Sequence, residues 1–167
     1  MSTAVTWEEV LQNREQRFER QKEIVKRTKA TLISFSMVIP GEIKNNSRIT
    51  TVFALGLQAI LELLSQNSFE INELESIGGK TGPECIIAVK CDPVVLKKLC
   101  CEIEEHHQYG RLFDIDILDN KLKAISRQDI GKKERSCLIC DQAAHLCARD
   151  RTHSLHELKQ AVRKYLL

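Results

Sequence analysis

Two groups of residues in this chain have types and spacings that could do chemistry. The first is Asp114 and Asp116, within Gly110-Arg111-Leu112-Phe113-Asp114-Ile115-Asp116-Ile117. Apolar and polar residues largely alternate there, and Phe and Ile favour a pleated surface, so the stretch reads as a β-strand. A side-chain period of two puts Leu112, Asp114 and Asp116 on one face and Arg111, Phe113, Ile115 and Ile117 on the other. The two aspartate α-carbons then lie roughly 7 Å apart, and both carboxylates can lean toward one divalent cation. Burying either one unpaired is costly, so the face meets water or a cation. Spacing alone favours the plainer reading, a half-exposed strand with one wet face.

The second group is Cys137-x2-Cys140-x6-Cys147-x5-His153. A two-residue gap lets both thiolates of a knuckle reach one tetrahedral ion, and a third Cys with a His completes the set. A Zn²⁺ held by four protein ligands has no open position, so its role would be structural. His145 and His156 are spare imidazoles that could take the place of His153. Three reduced thiols packing a small helical tail explain the same pattern without a metal. Arg135, Arg149 and Arg151 flank the group and read either as an anion patch or as solvated charges.

These side chains must be held by the elements around them. Thr6-Trp7-Glu8-Glu9 is a capping box opening a helix to about Arg27. Trp7, Leu11, Phe18 and Ile24/Val25 are its packing residues, while Arg14, Arg17 and Gln21 share another face. That face reads as solvated surface or as guanidinium groups brought to a polyphosphate. Thr31 to Ile39 reads as a strand ended by Pro40-Gly41, and a polar loop with Lys44 follows. Ile49, Val52, Phe53, Leu57, Ile60, Leu61 and Leu64 repeat at three and four, giving an amphipathic helix. Phe69 to Ile77 is a strand, Gly78 to Pro83 a turn, and Cys85 to Val89 another strand. Asp92-Pro93 caps a helix ending near His106-His107. Leu112 to Leu118 then pairs through an Asp119-Asn120 turn with an extra hairpin strand, Leu122 to Ser126.

The order predicts an α+β fold: a ferredoxin-like βαββαβ core with an extra hairpin strand, an N-terminal helix and a small C-terminal helical Cys/His tail. The expected organisation is one domain, 1–167, with the helix in 1–30, the core in 31–130 and the tail in 131–167. With 43% hydrophobic and 29% charged residues the composition is that of a globular protein rather than a disordered one. No apolar run approaches ~18 residues, and Met1 to Glu9 lacks the pattern of a signal peptide, so a cytoplasmic protein without membrane contact is expected. A net charge of +2 is too small for bulk nucleic-acid binding. The seven cysteines are expected to be reduced, with Cys85, Cys91, Cys100 and Cys101 in apolar segments as small core residues.

Several motifs in order carry a family resemblance: the 110–117 stretch, Ser126-Arg127, Arg135-x-Cys137-Leu138-x-Cys140, and Cys147-Ala148-Arg149 with His153. Upstream, Arg14, Arg17, Arg20 and Gln21, Ser34-Phe35, Pro40-Gly41, Lys44 and Gly82-Pro83-Glu84 fit the same pattern. Together they resemble the holo-synthase family of the citrate lyase acyl carrier protein, across nearly the whole chain. Phe113 stands where that family often has Trp, and Gln128 where a second Arg is usual.

The resemblance implies a nucleotidyltransferase-type reaction. A serine of the apo acyl carrier protein of citrate lyase attacks the α-phosphorus of 2'-(5''-triphosphoribosyl)-3'-dephospho-CoA, and pyrophosphate leaves. It implies Asp114 and Asp116 as ligands of Mg²⁺, and Glu84 as either a third metal ligand or a general base. Arg14, Arg17, Lys44, Gly82, Arg111 and Arg127 are the implied substrate-binding residues, with Arg111 reaching the site only from a strand end. Cys137, Cys140, Cys147 and His153 are the candidate Zn²⁺ ligands. Two other readings stay open: a related transferase acting on another carrier, such as that of malonate decarboxylase, and a non-enzymatic zinc-containing adaptor. Only 5% of residues are aromatic, which argues against an RNA-binding adaptor and for no nucleic-acid partner.

Overall fold

The computed structural model describes residues 3–166. The capping box forms as the spacing requires, with Thr6 Oγ1 accepting from the Glu9 amide and the Glu9 carboxylate accepting from the Thr6 amide. It opens α1 (Trp7–Thr28), which ends at Lys29 in the left-handed region. Then come β1 (Thr31–Met37), α2 (Ser47–Gln66), β2 (Glu70–Ile77), β3 (Glu84–Lys90), α3 (Pro93–His106) and β4 (Phe113–Leu118). Asn46 caps α2, and Asp92 caps α3 with Pro93 at its first position. Two short helices, α4 (Ala144–Asp150) and α5 (Leu155–Leu166), finish the chain.

The four strands form one sheet in the order β2-β3-β1-β4, and every neighbouring pair is antiparallel. The architecture is therefore α+β, as the order of elements predicts. Ile33 and Phe35 of β1, Cys85, Ile87 and Val89 of β3, and Phe113, Ile115 and Ile117 of β4 point to one face, against α2 and α3. Phe35 stacks on Phe53 at 4.6 Å between ring centres and meets Phe113 edge-on at 5.4 Å, each pair adding about 1 kcal/mol beyond the buried area. The opposite face is covered only in part. Ile24, Val25 and Ala30 around the end of α1 pack on Leu32, Ile86 and Ala88 there.

Several expectations are corrected. The strand begins at Phe113, because Gly110–Leu112 is a 3₁₀ turn, so Arg111 belongs to no strand face. Leu122 to Ser126 makes no fifth strand: a single bridge joins Leu118 and Ala124. The Asp119 carboxylate gathers the Lys121 and Lys123 amides and Leu122 takes a φ of 63°, which curls the chain too tightly for a ladder. Trp7, Leu11 and Phe18 do not pack. They are 66%, 39% and 49% exposed, and α1 buries Gln21, Ile24 and Val25 instead. By length and mean hydropathy, 1.4 over its best window, α2 is long and apolar enough to cross a membrane, contrary to the expectation from apolar runs. Its buried stripe of Ile49, Val52, Phe53, Gly56, Ile60 and Leu64 lies in the core of the fold.

Gly56 sets how closely α2 approaches the sheet. A methyl group there would stand 2.6 Å from Phe35 Cζ and 2.8 Å from Phe113 Cζ, inside any real contact distance. Gly56→Val therefore forces the two rings apart and is expected to cost about 1–3 kcal/mol in urea unfolding. An unchanged midpoint would mean that α2 is not seated on these rings.

Candidate active site

On the partly covered face the strand register lines up polar residues. Ser36 pairs with Asp114 and Ser34 with Asp116, while Ile77 pairs with Glu84. Since Phe35 is opposite Cys85, Glu84 comes level with Ser36, so Glu84, Ser36 and Asp114 run across the sheet toward the amino-terminal half of α1.

Glu84 is 4% exposed. Its Oε2 accepts from Asn13 Nδ2 at 3.1 Å and Arg17 Nη1 at 3.2 Å, and its Oε1 accepts from Arg20. Arg20 Nε also lies 3.3 Å from Glu75 on β2. A carboxylate this deep needs such donors. Its three partners sit at i, i+4 and i+7 of α1, one stripe of the helix. Both oxygens are thus engaged in holding α1, and Glu84 occupies an anchoring position rather than an open one. Gln21 continues the stripe, its amide donating to Ser34 Oγ at 3.0 Å in the buried part of the face.

Beside this anchor lies a cleft of about 290 Å³, lined by Asn13, Arg14 and Arg17 of α1, Ser36 at the end of β1, Lys44, the Thr81–Glu84 turn and Asp114. Arg14 makes no hydrogen bond or ion pair within the described residues. Lys44 is held below its ordinary lysine range, first by burial and then by the Arg14 charge, while Glu42 acts the other way. Two cations that raise each other's energy are what an anionic ligand would relieve. Gly82 has a φ of +107°, and a Cβ there would meet the Lys44 carbonyl at 3.1 Å, so glycine allows the turn to lie against the lysine loop.

Asp114 and Asp116 share this face, as the period of two requires, and neither carboxylate has a hydrogen-bond or ion-pair partner among the described residues. Asp116 is pushed above the ordinary aspartate range, first by the protein crowded around it and then by Asp114; Lys97 and Arg17 pull the other way. Its surface is nonetheless open to water, so the effect is smaller than for an enclosed acid.

Of the residues expected to bind substrate, Arg14, Arg17, Lys44 and Gly82 meet at the cleft with Glu84 and Asp114. Arg111 and Arg127 are brought elsewhere. Arg111 Nη2 donates to the Ser136 and Cys137 carbonyls at 2.8 and 3.0 Å. Arg127 pairs with Glu104 at 2.6 Å and Glu105 at 2.7 Å. Asn13 was not singled out by the sequence, although its place four residues before Arg17 on one helix face is a legible signal.

The outer edge of β4 is closed by side chains. Ile115 N–H donates to Glu104 Oε1 at 3.1 Å, Lys97 Nζ donates to the Ile115 carbonyl at 3.2 Å, and Arg135 Nη1 donates to the Phe113 carbonyl at 2.6 Å. Arg135 also reaches the Gly110 and Arg111 carbonyls, so it is a structural latch and not part of an anion patch. Arg149 is paired with Asp150.

The ligating atoms of Cys137, Cys140, Cys147 and His153 lie within 4.8 Å of one another. His145 and His156 face Glu134 and Gln160 instead. Among the other cysteines, Cys85, Cys100 and Cys101 are buried and Cys91 is half-buried. Burial pushes the Cys85 and Cys100 thiols up to about 12, which makes them inert core groups.

Comparison with known proteins puts this arrangement in the class of transferases. The chain belongs to the family described as apo-citrate lyase phosphoribosyl-dephospho-CoA transferase, whose model matches residues 5–167. It is 36% identical over 155 residues to the apo-citrate lyase phosphoribosyl-dephospho-CoA transferase of Escherichia coli O139:H28 (strain E24377A / ETEC), covering 93% of this chain and 85% of that protein. The protein of the same name from Shigella boydii serotype 18 (strain CDC 3083-94 / BS512) is equally similar, 36% over 155 residues with the same coverage.

Two outcomes test the site's construction. Glu84→Ala strands Arg17 and leaves Arg20 only Glu75, and is expected to cost about 3 kcal/mol, the low end for breaking a buried pair because both arginines keep some water; denaturant titration reads it. In the metal-free protein the raised Asp116 binds its proton more tightly than the unfolded chain does. Between the ordinary aspartate value and the raised one, stability therefore falls as pH rises. Asp116→Asn should flatten that slope in chelator-containing buffer and raise stability near neutral pH.

Proposed function

We propose that this chain attaches the phosphoribosyl-dephospho-CoA group of 2'-(5''-triphosphoribosyl)-3'-dephospho-CoA to a serine of the apo acyl carrier protein of citrate lyase, releasing pyrophosphate. The kinship over residues 5–167 supports the activity. The observation that carries the assignment of a site is the cleft itself, where unpartnered Arg14 and half-buried Lys44 face the unpartnered Asp114.

In the reaction the serine oxygen bonds to the α-phosphorus, the bond from that phosphorus to the pyrophosphate oxygen breaks, and the serine hydroxyl proton is lost. Arg14 and Lys44 supply donors and positive charge for the triphosphate oxygens, and Arg17 extends the same row. Because Arg17 is fixed by Glu84, its guanidinium is already oriented before substrate arrives, which lowers the cost of ordering. The chemistry of the two aspartates fits a hard divalent ion: oxygen donors on one face, with no cation in ion-pair contact among the described residues, although Lys97 and Arg17 act on Asp116 from further off. Asp114 and Asp116 would hold Mg²⁺, which supplies charge neutralisation for the phosphoryl oxygens when bound.

The sheet order, read with two helices on one face, supports a ferredoxin-like core for the transferase, arranged as one domain with the tail folded onto it. We place the enzyme in the cytoplasm, without a nucleic-acid or membrane partner, on the grounds of its modest charge and composition.

The test is a mass measurement on apo citrate lyase carrier incubated with the triphosphoribosyl substrate, Mg²⁺ and the chain. The carrier should gain the prosthetic group, with pyrophosphate released in equal amount. Asp114→Asn and Asp116→Asn should each lose transfer while keeping the fold, and near wild-type transfer by both would remove the metal assignment. Arg14→Ala should raise KM for the triphosphoribosyl substrate about tenfold, the value of one charge-assisted contact. If only the malonate decarboxylase carrier gains mass, the carrier assignment is wrong.

A further inference from the structure

Residues 131–154 contain two buried positions, Cys137 and Cys147. A segment of that length with so little apolar surface inside has no core of its own and needs a staple. The residues that are buried are metal-ligating ones, and they come together with two more. We propose that Cys137, Cys140, Cys147 and His153 form a structural Zn²⁺ site that fastens the C-terminal segment to the start of β4.

The geometry is that of a tetrahedral ion. Two sulfurs each ~2.3 Å from a zinc ion lie ~3.8 Å apart across a tetrahedral edge. Cys140 Sγ is 3.5 Å from Cys147 Sγ, and His153 Nε2 is 3.3 Å from Cys140 Sγ. All four ligating atoms fall within 4.8 Å of one another, and the seven cysteines are free of disulfides. The ligands come from three places: Cys137 and Cys140 from a loop, Cys147 from α4, and His153 from the turn before α5. The Ile139 amide faces Cys137 Sγ at 3.5 Å, an N–H group turned toward a thiolate as a two-residue knuckle provides. Three thiolates and an imidazole suit zinc rather than a hard oxygen-seeking ion, and four protein ligands leave no position for substrate.

The fastening works through the residues around the first ligand. Arg111 donates to the Ser136 and Cys137 carbonyls, and Arg135 donates back to those of Gly110, Arg111 and Phe113. The zinc loop and the turn before Asp114 are thus laced in both directions. Zinc orders the loop, and the loop orders the end of the strand that carries Asp114.

Zinc content is read with no carrier or substrate present, so this inference stands or falls apart from the transfer reaction. The full chain, expressed with zinc in the medium and desalted, should hold one zinc ion by elemental mass spectrometry. Cys147→Ser and His153→Ala should lose it, and Cys91→Ser, outside the cluster, should keep it. Replacement with Co²⁺ should give the absorption of a tetrahedral thiolate site. A wild-type chain supplied with zinc that carries none overturns the proposal, whatever the variants do. So does a chain isolated without air whose mass is short of two hydrogen atoms from a Cys140–Cys147 disulfide. Removing the metal by chelation should speed amide exchange in 110–118; unchanged exchange there would overturn the fastening.

Discussion

The buried Glu84 carboxylate is the interaction on which the rest of the site depends. The face of the sheet that carries Asp114 and Asp116 is not covered by a helix pair, as the other face is. A single helix lies over it, and only the end of that helix, near Ile24 and Val25, has an apolar grip. The amino-terminal half is held by charge, through Asn13, Arg17 and Arg20 on one carboxylate. Burying that charge is unfavourable in itself, and the three donors offset the cost only while their spacing is kept. The result is specificity of placement: α1 can take one rotation and one height above the sheet. Arg14, one turn before Arg17, thereby lines the cleft without a hydrogen bond or ion pair among the described residues.

This division of labour separates stability from chemistry within a few residues. Glu84 and Asn13 are paired and closed and Arg20 is engaged by Glu84 and Glu75, whereas Arg14, Lys44, Asp114 and Asp116 make no ion pair among the described residues. A protein does not gain stability from two cations beside each other or two acids on one strand face. On the proposed function, the triphosphate and a divalent ion would supply the missing counter-charges.

Much of the scaffold was legible from the sequence because its signals are local. Capping at Thr6 and Asp92, the three-and-four repeat of α2 and the alternation in β4 depend on neighbours a few residues away, and the elements appear where those patterns place them. The cleft was partly legible: Arg14, Arg17, Lys44, Gly82 and Asp114 converge. What could not be read was which charges would satisfy one another across the fold. Glu84 is drawn to residues 64 to 71 positions earlier, and Arg127 to Glu104 and Glu105. Nothing in the types of these residues distinguishes a paired charge from a free one. The exposed Trp7, Leu11 and Phe18 show the same limit for apolar residues, since the helix turned its charged stripe inward. The extra strand failed for a local reason, the Asp119 carboxylate competing for amides that a ladder would have used.

The treatment of the sheet's two borders has a bearing on how a protein substrate approaches. At β4 the outward amide and carbonyls are occupied by Glu104, Lys97 and Arg135. At β2 the register slips between Ile71 and Glu73, and Glu70, Glu73 and Glu75 line the strand. Neither border offers the flat, uncharged ladder that an incoming strand needs to pair with. Capture of a carrier by β-augmentation is therefore disfavoured at both borders. On the proposed function, the carrier would present its serine to the cleft through loop and helix surfaces, matched side chain to side chain, so that its recognition would be a matter of surface chemistry and not of backbone pairing.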